Sequence, residues 1–321
     1  MSTSDRRPPF SPVLVIFLGI LAVSTASILI RYAQAYAPSL TIAAYRLVLS
    51  AVILTPIAIK TRRIELSSLS LKDIFLGMLS GVFLALHFAT WITSLEYTSV
   101  VSSVVLVTTT PLWVAILAPI TVKESLTRWV IMGMVLALVG GVVVGFSDSC
   151  TLQNRQVLCP DFADFVQGQA FFGDLLALIG AWMAAAYVLI GRSLRSKISL
   201  ISYIYLVYSV AAVVLVIVLI AAQQIPWGFP PIAYLWFLLL ALIPQLLGHS
   251  SFNWALGYLS AAYVSITLLG EPIGSTILAY FLLGERPTVM KIFGAILILF
   301  GIYLASRSET QQTEKMSKST Q

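Results

Sequence analysis

The chain of 321 residues is 59% hydrophobic and only 10% charged. Soluble domains carry about a quarter charged residues, so this composition excludes a water-soluble globular protein. The net charge of +6 would suit a nucleic-acid partner, but its placement along the chain follows membrane topology, and we expect no nucleic-acid binding.

Apolar stretches long enough to cross a bilayer follow one another along the sequence. A helix needs about 20 mostly apolar residues to cross roughly 30 Å of hydrocarbon, and we predict ten such helices, with a tight turn at residues 96–98. The first is too long, and too lacking in a small-residue cleavage site, for a removed signal peptide. The predicted spans are residues 12–32, 38–59, 73–95, 99–120, 127–146, 171–191, 199–222, 231–255, 260–283 and 288–306.

Lysine and arginine are distributed unequally between the two sides that ten spans create. With the N-terminus in the cytoplasm, fourteen of them fall inside and four outside. Cytoplasmic loops of membrane proteins are enriched in these residues, and an odd number of spans would place the basic C-terminal tail outside. We therefore expect a multi-pass protein of the cell membrane (inner or plasma membrane), with cytoplasmic tails at residues 1–11 and 307–321.

The longest polar loop, residues 147–170, lies outside in this topology and contains both cysteines, Cys150 and Cys159. An oxidising exterior permits a disulfide that closes the loop, and two free thiols are the alternative. The sequence contains no metal-ligand spacing, no phosphate-binding glycine loop and no nucleophile elbow. We therefore expect no metal, no cofactor and no enzymatic activity.

The second half of the chain repeats the first at a constant offset of 161 residues. We assign the first repeat to residues 12–146 and the second to residues 171–306. Because each repeat has five spans, an odd number, the second copy enters the membrane from the opposite side. Such inverted repeats are typical of secondary transporters, whose sites lie near the bilayer midplane at the repeat interface. The matching residues are Gly19 and Gly180, Arg31 and Arg192, Leu95 and Leu256, Tyr97 and Tyr258, Pro111 and Pro272, Glu124 and Glu285, Gly133 and Gly294, and Gly140 and Gly301.

Short motifs recur in the same order in both halves. The second half carries LGYLSAAYVS at 256–265, Glu271-Pro272, Leu283-Gly284-Glu285, and Gly294 with Gly301; the first carries LEYTS at 95–99, Pro111, Lys123-Glu124, and Gly133 with Gly140. Over residues 12–306 these motifs resemble the EamA-type repeat of the drug/metabolite transporter superfamily, and Arg46 is similar to the arginine of that family's second helix. The resemblance implies a fold of ten transmembrane helices and a substrate site lined by spans one, three, four, six, eight and nine. Where family first halves often read Glu-Pro, this chain has Thr110-Pro111, so a symmetric pair of carboxylates is not expected.

Four ionisable side chains lie inside the predicted spans, where a charge costs about 2.5–3.5 kcal/mol on insertion scales and so marks function by default. Glu271 precedes Pro272, which frees a backbone carbonyl one turn earlier. This carboxylate would bind a proton, a cation or a substrate amine, or serve as a structural anchor. Arg46 would neutralise Glu271, clasp a substrate carboxylate or lock two helices together. The other two are His87 and His249.

Further polar and aromatic side chains accompany these four. Gln245, His249 and Asn253 are spaced four residues apart on one face of span eight, and His87 lies one turn from Trp91. Interhelical hydrogen bonds and packing are the structural alternatives. We predict helix kinks at Pro111 and Pro272. The candidate substrate-binding residues are Glu271, Arg46, His87, Trp91, Thr110, Trp182, Gln245, His249, Asn253, Tyr263 and Thr267.

The favoured interpretation is an all-α secondary transporter that moves a small polar metabolite across the bilayer by alternating access. Amino acids or related zwitterions are the preferred substrates because the predicted site offers one acid and one base, and export is preferred over uptake. The motifs Gly77-x-x-x-Gly81 and Gly141-x-x-x-Gly145 allow helices to approach closely. Packing within the protein is the first interpretation, and a homodimer interface on spans five and ten is the alternative. The rival functions are a passive facilitator or channel and an integral membrane enzyme.

Overall fold

A computed structural model describes residues 8–121, 128–149, 151–153, 156–158, 168–301 and 303–304. Within these ranges the ordered elements are helices and two short antiparallel strands. The predicted disulfide, Cys150 with Cys159, lies outside the described residues.

The helices, numbered in chain order, are α1 (Pro12–Ser24 and Ala26–Gln34), α2 (Ser39–Ser67), α3 (Leu71–Tyr97), α4 (Val100–Val107 and Thr110–Thr121), α5 (Arg128–Ser149), α6 (Gln169–Arg195), α7 (Leu200–Ala221), α8 (Pro231–Leu240, Ala241–His249 and Ser250–Ala255), α9 (Ala261–Thr267, Gly270–Leu278 and Ala279–Leu283) and α10 (Val289–Gly301). The strands are β1 (Thr151–Gln153) and β2 (Gln156–Leu158). These strands add a feature between α5 and α6 that the all-helical prediction did not contain.

Serine side chains cap three of the helices where the sequence predicts new spans. Ser70, Ser99 and Ser199 each accept a hydrogen bond from the backbone amide three residues on, at 3.1, 3.1 and 3.4 Å, at the starts of α3, α4 and α7. Such caps pair an amide that the first helical turn leaves without a partner. The turn predicted at residues 96–98 is confirmed, because α3 ends at Tyr97 and α4 begins at Val100.

Seven helices in the described part of the chain are long and apolar enough to cross a membrane. They are α1, α2, α3, α4 as far as Leu117, α6, α7 and α8. Helix α10 and the apolar part of α5, Ile131–Val144, are shorter, and α9 is divided into segments. The predicted spans therefore fall on helices, while the count of ten crossings stays a prediction.

The two halves of the chain pack against each other through equivalent helices. Helix α3 lies along α6, α1 lies along α8, and α2 lies along α7. A Cβ added to Gly19 of α1 would lie 3.0 Å from Cβ of Ser251, and one added to Gly180 of α6 would lie 3.3 Å from Oγ1 of Thr90. These contacts are equivalent in the two repeats, because Gly19 corresponds to Gly180 and Thr90 corresponds to Ser251 at the offset of 161 residues. Glycine therefore allows the same close approach of helices in both places.

Helices α5 and α10 meet through two pairs of glycines. A Cβ on Gly140 would lie 2.7 Å from the carbonyl oxygen of Gly294, and one on Gly301 would lie 2.5 Å from that of Gly133. Since residue 133 lies opposite 301 and 140 opposite 294, the two helices are antiparallel. In the repeat, Gly133 corresponds to Gly294 and Gly140 to Gly301, so each of the two contacts is the counterpart of the other. A local two-fold axis produces this pattern.

Candidate functional site

A cavity lies where helices of the first half meet helices of the second. Its free volume is about 60 Å³, which leaves room for a few water molecules. Helices α3 and α4 form one side, and α6, α8 and α9 form the other. The lining residues are His87, Trp91, Val107, Thr108, Thr110, Ala184, Tyr187, Val188, His249, Phe252, Asn253, Leu256, Val264, Leu268 and Glu271.

Helices α4 and α9 are both interrupted beside this cavity. The break in α4 follows Val107 and that in α9 follows Thr267, positions that correspond within one residue under the repeat offset. Pro111 and Pro272 lie in the first turn after each break, where the missing amide hydrogen of proline is not needed. The prolines thus begin new helical segments in place of kinking continuous helices. Discontinuous helices at a repeat interface are a feature of transporter binding sites.

The carboxylate of Glu271 lies in the first turn of the second α9 segment and lines the cavity. Its side chain is buried, with 9% of the residue exposed. Among the described residues it has no hydrogen-bond partner and no contact ion pair. Arg46 interacts with it electrostatically over a longer distance. A buried carboxylate needs a counter-charge, a hydrogen-bond donor or a proton. Its position therefore calls for one of these three inside the cavity.

Two histidines face the same cavity. The Nδ1 atom of His87 lies 2.9 Å from the carbonyl oxygen of Gly180, so this nitrogen carries the hydrogen and Nε2 is left as an acceptor. The ring stacks on Trp91, with centroids 5.8 Å apart, and its centroid lies 6.4 Å from that of His249. The histidines and Glu271 thus place acceptor groups on an otherwise aromatic and aliphatic wall.

Asn253 also lines the cavity, but hydrogen bonds within the protein occupy its amide group. Its Oδ1 accepts from the hydroxyl of Tyr187 at 2.7 Å, and its Nδ2 donates to the hydroxyl of Tyr208 at 3.3 Å. The backbone carbonyl of the same residue accepts from Arg195 at 2.9 Å. Asn253 therefore holds α6, α7 and α8 together beside the cavity.

Arg46 and Gln245 lie in a layer behind the cavity wall. Both are fully buried, and Nε of Arg46 donates to Oε1 of Gln245 at 2.9 Å. The Arg46 guanidinium lies over the ring of Phe88, with Cζ 4.0 Å from the ring centroid. Gln245 does not line the cavity, although it lies four residues before His249, which does. Residues 241–249 form a π-helix, whose wider turn rotates the two side chains relative to their positions in an α-helix.

A model of the EamA-like transporter family matches the chain twice, over residues 10–146 and 171–307. The chain belongs to the EamA-like transporter family. The resemblance predicted from the sequence motifs is thereby confirmed, and the protein is a multi-pass membrane protein of transporter type.

Individual proteins similar to this EamA-like transporter are also named as transporters. It is 25% identical to the uncharacterized transporter YyaM of Bacillus subtilis (strain 168), over 92% of this chain and 93% of the relative. An uncharacterized transporter of Archaeoglobus fulgidus is 25% identical, over 92% and 98% of the two chains. One crystal structure superposes with a TM-score of 0.64 at 15% identity, over 93% of this chain and 99% of the other. That likeness concerns the fold alone.

The remaining candidate residues of this EamA-like transporter do not line the cavity or are already paired. Trp182 is 39% exposed and packs edge-on against Trp113, with centroids 5.2 Å apart. The hydroxyl of Thr267 donates to the carbonyl oxygen of Val264 at 2.7 Å. Thr110 lines the cavity, and its hydroxyl donates to the carbonyl of residue 107 at 2.8 Å. The side chain of Tyr263 lies outside the described part of the chain.

Tyr187 was not among the residues predicted from the sequence, although it lines the cavity and its hydroxyl donates to Asn253. A signal for it exists in α6, where small residues at 173, 177, 180, 181, 184 and 185 mark the face that packs against other helices. Tyr187 and Val188 continue this face by helical spacing. Trp182 lies off it, which explains why one aromatic residue of α6 lines the cavity and the other does not.

A polar cluster closes one end of the space between the halves. The Arg31 guanidinium donates to the carbonyl of Thr98 at 2.8 Å and lies 3.5 Å from Oε1 of Glu285. The other oxygen of Glu285 accepts from the backbone amide of Val100 at 2.9 Å, at the first turn of α4. From this cluster inward, every α4 residue from Val100 to Leu106 is buried. The cavity is therefore closed from this end.

Proposed function

We propose that this EamA-like transporter moves small amine-bearing metabolites, in the first place amino acids, across the cell membrane by alternating access. The observation that carries the proposal is the carboxylate of Glu271, which lines a cavity between the two halves and has no hydrogen bond or contact ion pair among the described residues. The transporter family supports the general activity. The cavity chemistry supports the choice of substrate.

A substrate ammonium group fits the polar atoms of the cavity. It would supply the positive charge that the buried Glu271 carboxylate needs and would donate a second hydrogen bond to Nε2 of His87. The face of Trp91 adds a cation–π surface. Phe252 and Leu268 offer apolar area to the hydrocarbon part of the same molecule. A polyanion would find no compensating cation on this wall.

The proposed architecture is ten transmembrane helices in two inverted repeats of five. The two matches of the family model have nearly the bounds of the predicted repeats. The antiparallel contact of α5 with α10 and the equivalent contacts of α1 with α8 and α6 with α3 support the same arrangement. Both termini would then be cytoplasmic, while a homodimer has no support in these internal contacts.

We propose export as the direction of transport, and the closed end of the cavity supports this choice. In the proposed topology the cluster of Arg31 and Glu285 lies at the outer side. Among the lining residues, Tyr187, Leu256 and Val264 belong to the inner half of the membrane, and His87 and Trp91 to the outer half. A cavity closed at its outer end is suited to loading from the cytoplasm, which favours export.

The test is transport of labelled amino acids by purified protein in liposomes. We expect at least one of the twenty common amino acids to cross faster than in empty vesicles, and Glu271→Gln to reduce that rate at least tenfold, because an amide offers no charge to the ammonium group. Glu314→Gln, which neutralises a carboxylate in the tail at residues 307–321, should retain the wild-type rate. Lack of movement across the whole set would contradict the proposal, as would full activity of Glu271→Gln.

A further inference from the structure

Three hydrogen-bond donors lie together behind the cavity wall with no acceptor. They are Nη1 and Nη2 of Arg46 and Nε2 of Gln245, all buried and none in a hydrogen bond of normal geometry to a described residue. The Tyr208 hydroxyl lies beside Gln245, and the charge of Glu271 acts on Arg46 from a longer distance. The remaining donor of the guanidinium, Nε, is already used by Oε1 of Gln245 at 2.9 Å. This bond fixes the two side chains relative to each other, so the three free donors form one preassembled group.

A guanidinium buried without an acceptor is costly, because a charge removed from water must be compensated by opposite charge and hydrogen bonds. Phe88 beneath the guanidinium supplies a cation–π contact, which does not use the N–H groups. A carboxylate matches what is left, since two parallel N–H groups of arginine bind its two oxygens. The Gln245 amide would add a third donor.

This donor group is separated from the cavity by two rings. The guanidinium lies 4.0 Å from the centroid of Phe88, and Phe88 packs edge-on against His249 at 5.2 Å between centroids. His249 lines the cavity. The acidic residue of the site, Glu271, lines the cavity itself, while the basic residue, Arg46, lies behind His249. A substrate that carries both an ammonium and a carboxylate group would therefore have Glu271 as a partner for the first and Arg46 for the second.

We propose that Arg46 and Gln245 form a buried carboxylate-binding site that receives the carboxylate of the substrate, which makes the transporter selective for amino acids over simple amines. This inference rests on the proposed function of amino-acid transport. The π-helix from Ala241 to His249 provides the access. A change of this segment to an α-helix would rotate Gln245 relative to His249, because the two helix types differ in residues per turn, and would bring the donors toward the cavity.

The test uses amino-acid derivatives that remove one charge at a time. Binding of the twenty common amino acids to the purified protein is measured by thermal stabilisation, and each that binds is compared with its methyl ester and its N-acetyl form. The wild type should bind the free amino acid about ten- to hundredfold more tightly than the ester, the range expected for hydrogen bonds to a charged group. In Arg46→Gln the ratio should fall to about one.

A second variant keeps the test decisive if Arg46→Gln fails to fold. Gln245→Glu retains the acceptor for Nε of Arg46 and places a protein carboxylate against the guanidinium. It should raise the melting temperature and also abolish discrimination against the ester, because the site is then filled from within. Glu271→Gln should lose discrimination against the N-acetyl form and keep discrimination against the ester.

The outcomes separate the inference from the proposed function. If no amino acid binds the wild type, amino-acid transport and the inference fail together. If amino acids bind and either Arg46→Gln or Gln245→Glu still discriminates against the ester as the wild type does, the function stands and the carboxylate site is wrong. A wild type that loses stability when chloride is replaced by gluconate, with equal affinity for acid and ester, would assign the site to a free anion and overturn the inference.

Discussion

The two tryptophans predicted for the site differ in whether they line the cavity. Trp91 lines the cavity beside His87, while Trp182 points away from it. We predict that Trp91→Ala raises the KM for transport at least fivefold, because a substrate loses the aromatic face. Trp182→Ala should change KM less than twofold. Equal effects of the two substitutions on labelled uptake would contradict this placement of the site.

Tyr187 acts through a hydrogen bond inside the wall. Its hydroxyl donates to Oδ1 of Asn253 at 2.7 Å, so Tyr187→Phe leaves a buried acceptor without a donor. We expect a loss of about 1 kcal/mol in stability, seen as a lower melting temperature in detergent. Tyr205→Phe is the matched control, since that hydroxyl bonds no described residue. Equal melting temperatures for the two variants would show that the bond contributes nothing.

Residue chemistry made part of the site predictable. Glu271, His87 and His249 stand out in the sequence because titratable groups are rare in apolar spans. Tyr187 does not stand out, because tyrosine is common in membrane helices. The position of Gln245 was not predictable from spacing, since the π-helical segment rotates its side chain relative to His249, and the sequence pattern does not reveal a π-helix.

The contact between α5 and α10 gives a prediction at the scale of elements. Gly140 meets the backbone of Gly294, whereas a Cβ on neighbouring Gly141 would meet only Leu106 at 3.6 Å. Gly140→Ala should therefore destabilise the protein by about 1–3 kcal/mol through overpacking, and Gly141→Ala should be near neutral. Thermal unfolding in detergent measures both. If Gly141→Ala were the more damaging of the two, the antiparallel contact would be wrong.

The cluster at Glu285 is expected to hold the outer end of α4 closed. Glu285→Gln weakens its pairing with Arg31, so residues along α4 should become accessible from outside. With Ser103→Cys in a protein whose Cys150 and Cys159 are serine, labelling by a membrane-impermeant maleimide should accelerate several-fold.

Asp164→Asn provides the control for that labelling, because it removes a carboxylate from the loop at residues 147–170, away from the cluster in sequence. It should label Ser103→Cys at the background rate. Slow labelling in both variants would mean that the Glu285 cluster does not close this end of the cavity.

Helix positions were predictable because each needs a long apolar run, and the serine before α4 fixed the short turn after Tyr97. The interruptions of α4 and α9 were predicted only as proline kinks. Proline prevents a continuous helix in either case. Whether the chain bends or starts a new segment depends on packing around the cavity, which no local pattern encodes.

At the scale of the whole molecule, the proposed ten crossings would place the tail at residues 307–321 inside and the loop at residues 147–170 outside. Epitope tags in these two segments should be protected and accessible, respectively, in intact cells or right-side-out vesicles. The charge distribution supplies the reason. Accessibility of the C-terminal tag without permeabilisation would require an odd number of crossings and would remove the inverted arrangement of two five-helix repeats.

The central claim is that two inverted halves expose one cavity alternately to each side, and counterflow tests it most directly. Liposomes containing the protein are loaded with an unlabelled amino acid that is transported and diluted into a trace of its labelled form. Alternating access predicts a transient accumulation of label above the external concentration, which Glu271→Gln abolishes. Equilibration of the label without overshoot, as in a passive channel, would contradict the account.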